Sequence, residues 1–180
     1  MMKRWCAYGL GCALALTILV ARVPAQAAGQ GGAKTIQALF VSDIHFEPFS
    51  DPGKAVELAE APVAKWNAIL ATPASADAAA QFTKLQEGCS TKGADTSYEL
   101  YRSSLHAIHA QASSARFVIV SGDLIAHKFD CKFSAVFPKA TPGDYRAFVE
   151  KTIDYVLSEL RTTLPGVPVY AALGNNDSDC

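Results

Sequence analysis

A chain of 180 residues is long enough for one domain with a sizeable core. Half of its residues are hydrophobic and 18% are charged, an ordinary globular balance. The net charge of -1, with no basic run beyond the N-terminus, argues against a nucleic-acid partner. A phosphate-bearing ligand remains compatible with that charge, because metal ions can supply the positive field.

Residues 1–27 have the pattern of an export signal. Lys3 and Arg4 precede an apolar stretch over 5–20, and Ala25-Gln26-Ala27 is a small-residue cleavage site. The stretch is short of the roughly 20 apolar residues needed to span a bilayer, so no stable membrane span is expected once it is removed. The expected location is periplasmic or extracellular. Of the five cysteines, Cys6 and Cys12 leave with the signal, and Cys89, Cys131 and Cys180 remain. An oxidising compartment favours a disulfide, and Cys89 with Cys131 is the expected pair, both placed in loop-like surroundings. Cys180 would then pair with something outside these residues.

Residues 28–34 form a Gly-rich linker, and 35–180 carry the domain. A strand is expected over 35–42, then a loop with Pro48, Pro52 and Gly53, and a helix over 56–70. Thr72-Pro73 breaks it, and an Ala-rich helix follows over 76–86. A loop over 88–93 holds Cys89, and a helix over 97–113 sets Tyr98, Tyr101, Leu105 and Ile108 on one face. The second strand is 116–121. After it comes an aromatic segment with Phe129, Phe133 and Phe137, expected to be irregular. The clearest helix starts with Asp144 as its expected N-cap, and Phe148, Val149, Thr152, Ile153, Val156, Leu157 and Leu160 repeat at three-four spacing. A third strand follows over 167–173. Alternation of this kind implies an α/β fold, with a buried parallel sheet flanked by helices.

Each of the three strands runs into polar residues able to bind a metal: Asp43-Ile44-His45, Gly122-Asp123, and Gly174-Asn175-Asn176-Asp177. Taken singly, these are common turn residues. Taken together they stand at the carboxyl ends of parallel strands, where open α/β sheets bind their ligands. Asp43 and His45, two apart on an extended segment, are expected to point the same way and grip one ion. Asp123 has two oxygens with which to bridge a pair of ions, and Asn175 offers a carbonyl oxygen to the second. Mixed imidazole, carboxylate and amide ligation suits two divalent ions of the zinc, manganese or iron type. Such a pair can hold a hydroxide for in-line attack at phosphorus.

These three blocks resemble the opening blocks D-x-H, G-D and G-N-H-[DE] of the calcineurin-like metallophosphoesterases. The resemblance implies the first half of a metallophosphoesterase α/β sandwich, with Asp43, His45, Asp123 and Asn175 as metal ligands and Asp123 bridging. Around the second block, Ser121 to His127 looks most like the acid sphingomyelinase branch, which nominates His127 as proton donor to the leaving oxygen. Asn176 replaces the usual histidine of the third block, as in endopolyphosphatase-like relatives, and its amide would contact the phosphate. The resemblance implies an exported hydrolase acting on a phosphate mono- or diester or a phosphoanhydride, the substrate being a small molecule or a lipid headgroup.

The family's later blocks, an isolated histidine and G-H-x-H, have no counterpart before Cys180. The chain is therefore read as C-terminally truncated. The alternative is a catalytically incomplete module with weak or no metal binding. His106 and His109 lie on a helix before the second strand and are read as helix-surface residues.

Overall fold

The computed structural model describes residues 35–112 and 114–178. The expected signal, the linker and Cys180 lie outside the described residues. Three apolar runs pair as parallel strands, β1 (Ala38–Val41), β2 (Phe117–Val120) and β3 (Val169–Ala171), in the order β1-β2-β3. The register sets Leu39 beside Val118 and Val118 beside Val169. Because all three strands run the same way, their carboxyl ends share one edge, and β2 lies between the other two.

The strands are shorter than expected, and the sheet is buried on one face only. Val118 and Val120 join the core, with Leu39, Val41 and Val169 packed against it. On the opposite face Phe40 is 72% and Tyr170 63% exposed. Continuous apolar runs implied burial on both sides; here the described helices leave the second face open.

Between β1 and β2 lie α1 (Pro52–Glu60), α2 (Trp66–Leu70), α3 (Ala78–Gly88) and α4 (Tyr98–Gln111). The carboxylate of Asp51 caps α1 by accepting from the backbone of Gly53 and Lys54. The single helix expected over 56–70 is split. Ala61 precedes Pro62 and is forced extended, at ψ 150°, so α1 stops and a 3-10 turn over Val63–Lys65 restarts the chain into α2. Ser97 caps α4, and Tyr101 and Leu105 are buried along the expected face.

Two expectations between β2 and β3 need correction. Residues Phe129–Val136 are not irregular but form α5, with Phe129 and Phe133 one turn apart and both buried. The long helix α6 (Pro142–Thr163) is capped by Thr141, not Asp144; Asp144 occupies the third helical position, and its carboxylate accepts from the Thr141 backbone N–H. The core is aromatic where these helices meet: Phe49, Phe129 and Phe148 pack mutually, and Trp66 lies between Phe148 and Tyr155. Among the described residues no helix is long and apolar enough to cross a membrane.

Cys89, which closes α3, is joined to Cys131 within α5, with a Cα–Cα distance of 5.8 Å. The pairing is the expected one, although Cys131 sits in a helix rather than a loop.

Candidate metal centre

Beyond β1 the chain continues alongside the segment leaving β2. His45 N donates to Asp123 O at 2.9 Å, and Phe46 N to Leu124 O at 2.8 Å. Within this ladder Asp43, His45 and Asp123 adopt left-handed backbone angles, with φ of 53°, 44° and 54°. Aspartate and histidine tolerate that region better than most side chains, yet three such residues in one cluster are a cost that stable folds accept mainly at functional sites. The expected mechanism of convergence is therefore corrected: Asp43 and His45 meet through two residues with left-handed φ, not through strand alternation.

The result is a compact donor set. His45 Nε2 lies 3.8 Å from Asp43 Oδ1 and 3.9 Å from Asp123 Oδ2. One ligand atom from each of the three residues falls within 4.8 Å of the others. His45 Nδ1 stands 3.2 Å from the carbonyl oxygen of Ile125, which can only accept. A proton on Nδ1 serves that contact, and in the ring carrying one proton this leaves the Nε2 lone pair facing the two carboxylates. This is the arrangement a metal-binding histidine requires. The donor chemistry and the freed Nε2 together fit a divalent cation.

The third block is locked onto the second. Asp177 is buried, and one of its oxygens accepts from Leu124 N at 2.7 Å and Ile125 N at 3.0 Å. The other accepts from Gly174 N at 2.8 Å. Asn176 N donates to Asp123 Oδ1 at 3.1 Å. A methyl group on Gly174 would fall on the Asp123 carboxylate, so glycine is required there by close approach. The backbone of Asn175 is thus carried beside Asp123, and the residue is exposed. Asn176 lines a cleft of about 230 Å³ together with Ile125, Tyr145, Arg146, Ile153 and Leu173. A roomier cleft of about 530 Å³, lined by residues of α1, α5 and α6, contains none of the rim residues.

His127 stacks on His45, with ring centroids 4.1 Å apart and planes 21° from parallel. Its Nδ1 is 2.7 Å from Asp95 Oδ1, and its backbone N–H donates to Asp95 Oδ2 at 2.9 Å. Burial tends to raise the Asp95 pKa. The His127 bonds and the charge of Lys132 outweigh it and hold the carboxyl below its ordinary value. Lys132 donates to Asp95 Oδ2 at 3.2 Å and to Glu47 Oε2, and Lys132 and Glu47 are both 1% exposed. For Glu47 burial is the larger influence, and its pKa is raised despite the ammonium. Ligand atoms of His45, Asp95 and His127 also approach one another closely enough for a metal. The adjacent Lys132 ammonium opposes a cation there, and a carboxylate already accepting three donors is satisfied without one.

All the residues nominated from the three blocks sit at one edge, with His127 beside them. His106 and His109 do not join them. His106 is exposed, and His109 Nδ1 is spent 2.8 Å from the Thr163 carbonyl near the end of α6. Sequence reading missed Asp95, Lys132 and Glu47 because their separations of 32, 37 and 85 residues carry no local pattern. The role of Asp177 was missed as well; an aspartate three residues after a glycine, closing a Gly-Asn-Asn-Asp segment, is the signal that points to it. Comparison with protein-family models, curated proteins and solved structures finds no match to this chain.

Proposed function

We propose that the chain is a calcineurin-like, metal-dependent phosphoesterase, built on the first half of the α/β sandwich of that family and exported. The observation that carries this reading is the convergence of Asp43, His45 and Asp123 at the shared strand edge, with His45 Nε2 freed by the Ile125 carbonyl. Asp43, His45, Asp123 and Asn175 would hold two divalent ions, zinc, manganese or iron, with Asp123 between them. What such ions supply when bound is Lewis acidity at the phosphoryl oxygens and a water acid enough to ionise near neutral pH.

The protein's own groups do the rest. The Asn176 amide contacts the phosphate. His127, 4.1 Å over the His45 ring, donates a proton to the departing oxygen. The substrate is a phosphate mono- or diester or a phosphoanhydride, on a small molecule or a lipid headgroup. Hydrolysis of p-nitrophenyl phosphate and bis-p-nitrophenyl phosphate in manganese or zinc tests it. Turnover that disappears on chelation and in Asp123→Asn is expected; turnover unchanged by both would overturn the assignment.

A second reading rests on the donor count. Three acid or imidazole atoms surround one point, which saturates one ion better than two, so the described residues alone would form an incomplete site. Binding of a single weak ion without turnover supports that reading.

A further inference from the structure

Asp95 engages His127 at both its ring and its backbone. One carboxylate oxygen takes the ring Nδ1 at 2.7 Å; the other takes the His127 backbone N–H at 2.9 Å and the Lys132 ammonium at 3.2 Å. An ionised carboxylate only accepts, so the ring must carry its proton on Nδ1. The His45 ring, stacked on one face, fixes the plane. Asp95 is itself held at two points. Its neighbour Thr96 donates its backbone N–H to His45 O at 3.0 Å and accepts from Glu47 N at 2.9 Å, which stitches this loop to the segment after β1. On the far side, Lys132 is anchored by the buried Glu47, and Cys131 beside it is bonded to Cys89.

We propose that Asp95 is a positioning residue that locks His127 as the Nδ1–H tautomer, flat against His45, so that Nε2 alone is presented to the ester. Lys132, anchored by Glu47, holds Asp95 in that pose. The inference deepens the proposed function and rests on it for the role of Nε2. In cleavage a water oxygen bonds to phosphorus and gives up a proton to solvent, while the P–O bond to the leaving group breaks with its electron pair passing to the departing oxygen. The proton on Nε2 of the imidazolium moves to that oxygen. The ring is left neutral with its Nδ1 proton still hydrogen-bonded to Asp95, and solvent returns the lost proton to Nε2. A ring turned over would offer the wrong nitrogen, and an unclamped one would spend much of its time misaimed.

The test is long-range ¹H–¹⁵N NMR of the histidine rings in the full-length chain. Wild-type His127 is expected as the Nδ1–H tautomer when neutral. Asp95→Ala should shift it toward Nε2–H, and Lys132→Met should shift it the same way by less. His45, bonded to a backbone carbonyl, should keep its tautomer in both variants, which separates loss of the clamp from general unfolding. An Nε2–H tautomer in the wild type, which needs no variant to fold, would overturn the proposal. So would an unchanged His127 in Asp95→Ala.

Turnover provides a second readout. Loss of a positioned acid should slow an alkyl phosphodiester about 10²-fold or more, and a nitrophenyl ester, whose leaving group needs no proton, far less. Equal slowing of both would contradict the assignment. Absence of any wild-type turnover would sink the phosphoesterase reading, and the tautomers would still decide whether Asp95 locks the ring.

Discussion

The two halves of the site are held by different physics. The rim of Asp43, His45 and Asp123 is placed by backbone: three left-handed φ angles, a ladder of main-chain hydrogen bonds, and a glycine whose missing side chain lets Asn176 reach Asp123. The flank of His127, Asp95, Lys132 and Glu47 is placed by side chains, through a chain of charged contacts that ends in a buried ion pair. Backbone placement tolerates changes of side chain and keeps its geometry. Side-chain placement fails as a unit when one member is lost.

Substitutions can separate the two. The largest effect is expected at Lys132→Met, which strands Glu47 in the interior without its partner. Breaking a buried pair in this way costs about 3–5 kcal/mol, measured by urea unfolding, while metal affinity at the rim should hardly move. Adding Glu47→Gln should recover part of the loss; no recovery would mean the pair is not coupled. Next comes the Cys89–Cys131 bridge, which closes a separation of 42 residues and ties α3 to the helix carrying Lys132. Replacing both cysteines by serine should cost about 2–4 kcal/mol and loosen the flank before the rim, a sequence that hydrogen exchange at residues 90–97 would reveal.

At the rim the signs reverse. Asp123→Asn should leave unfolding within about 0.5 kcal/mol of the wild type, because the amide oxygen can still accept from Asn176 N. Turnover should fall more than about 100-fold, beyond what loss of an outer partner of a metal ligand costs.

The smallest effect lies away from both halves. Burial works to raise the Asp51 pKa, but bonds from Ser75 and Lys54 and the Lys54 charge prevail and hold it below the ordinary 3.8. A depressed carboxyl contributes stability above its unfolded value and loses it as the pH falls through the lowered folded value. Asp51→Asn should flatten the acid limb of the stability curve below about pH 4 without affecting either half of the site.

The contrast also explains what could be read in advance. Strand ends are legible because an apolar run stopping at a polar residue is a local signal, and parallel pairing then brings Asp43, His45, Asp123 and the Asn175 backbone to one edge. The turn geometry was not legible: nothing in Asp43-Ile44-His45 distinguishes a left-handed pair from an extended one. Helix α5 was missed although Phe129, Phe133 and Phe137 recur at helical spacing, because the prolines after them suggested loop. The open sheet face was missed because Phe40 and Tyr170 have the composition of buried residues. Of the flank only His127 is marked, through the family resemblance; its partners leave no trace, since Asp95 looks like any loop aspartate until Lys132 and His127 close on it.

The central claim is that Asp43, His45 and Asp123 hold divalent metal at the shared strand edge. Calorimetric titration of manganese into the full-length chain and into Asp123→Ala tests it most directly. Saturable binding in the wild type, lost or weakened at least about tenfold in the variant, is the predicted result. A chain that takes up no manganese, or binds it equally well without Asp123, would contradict it.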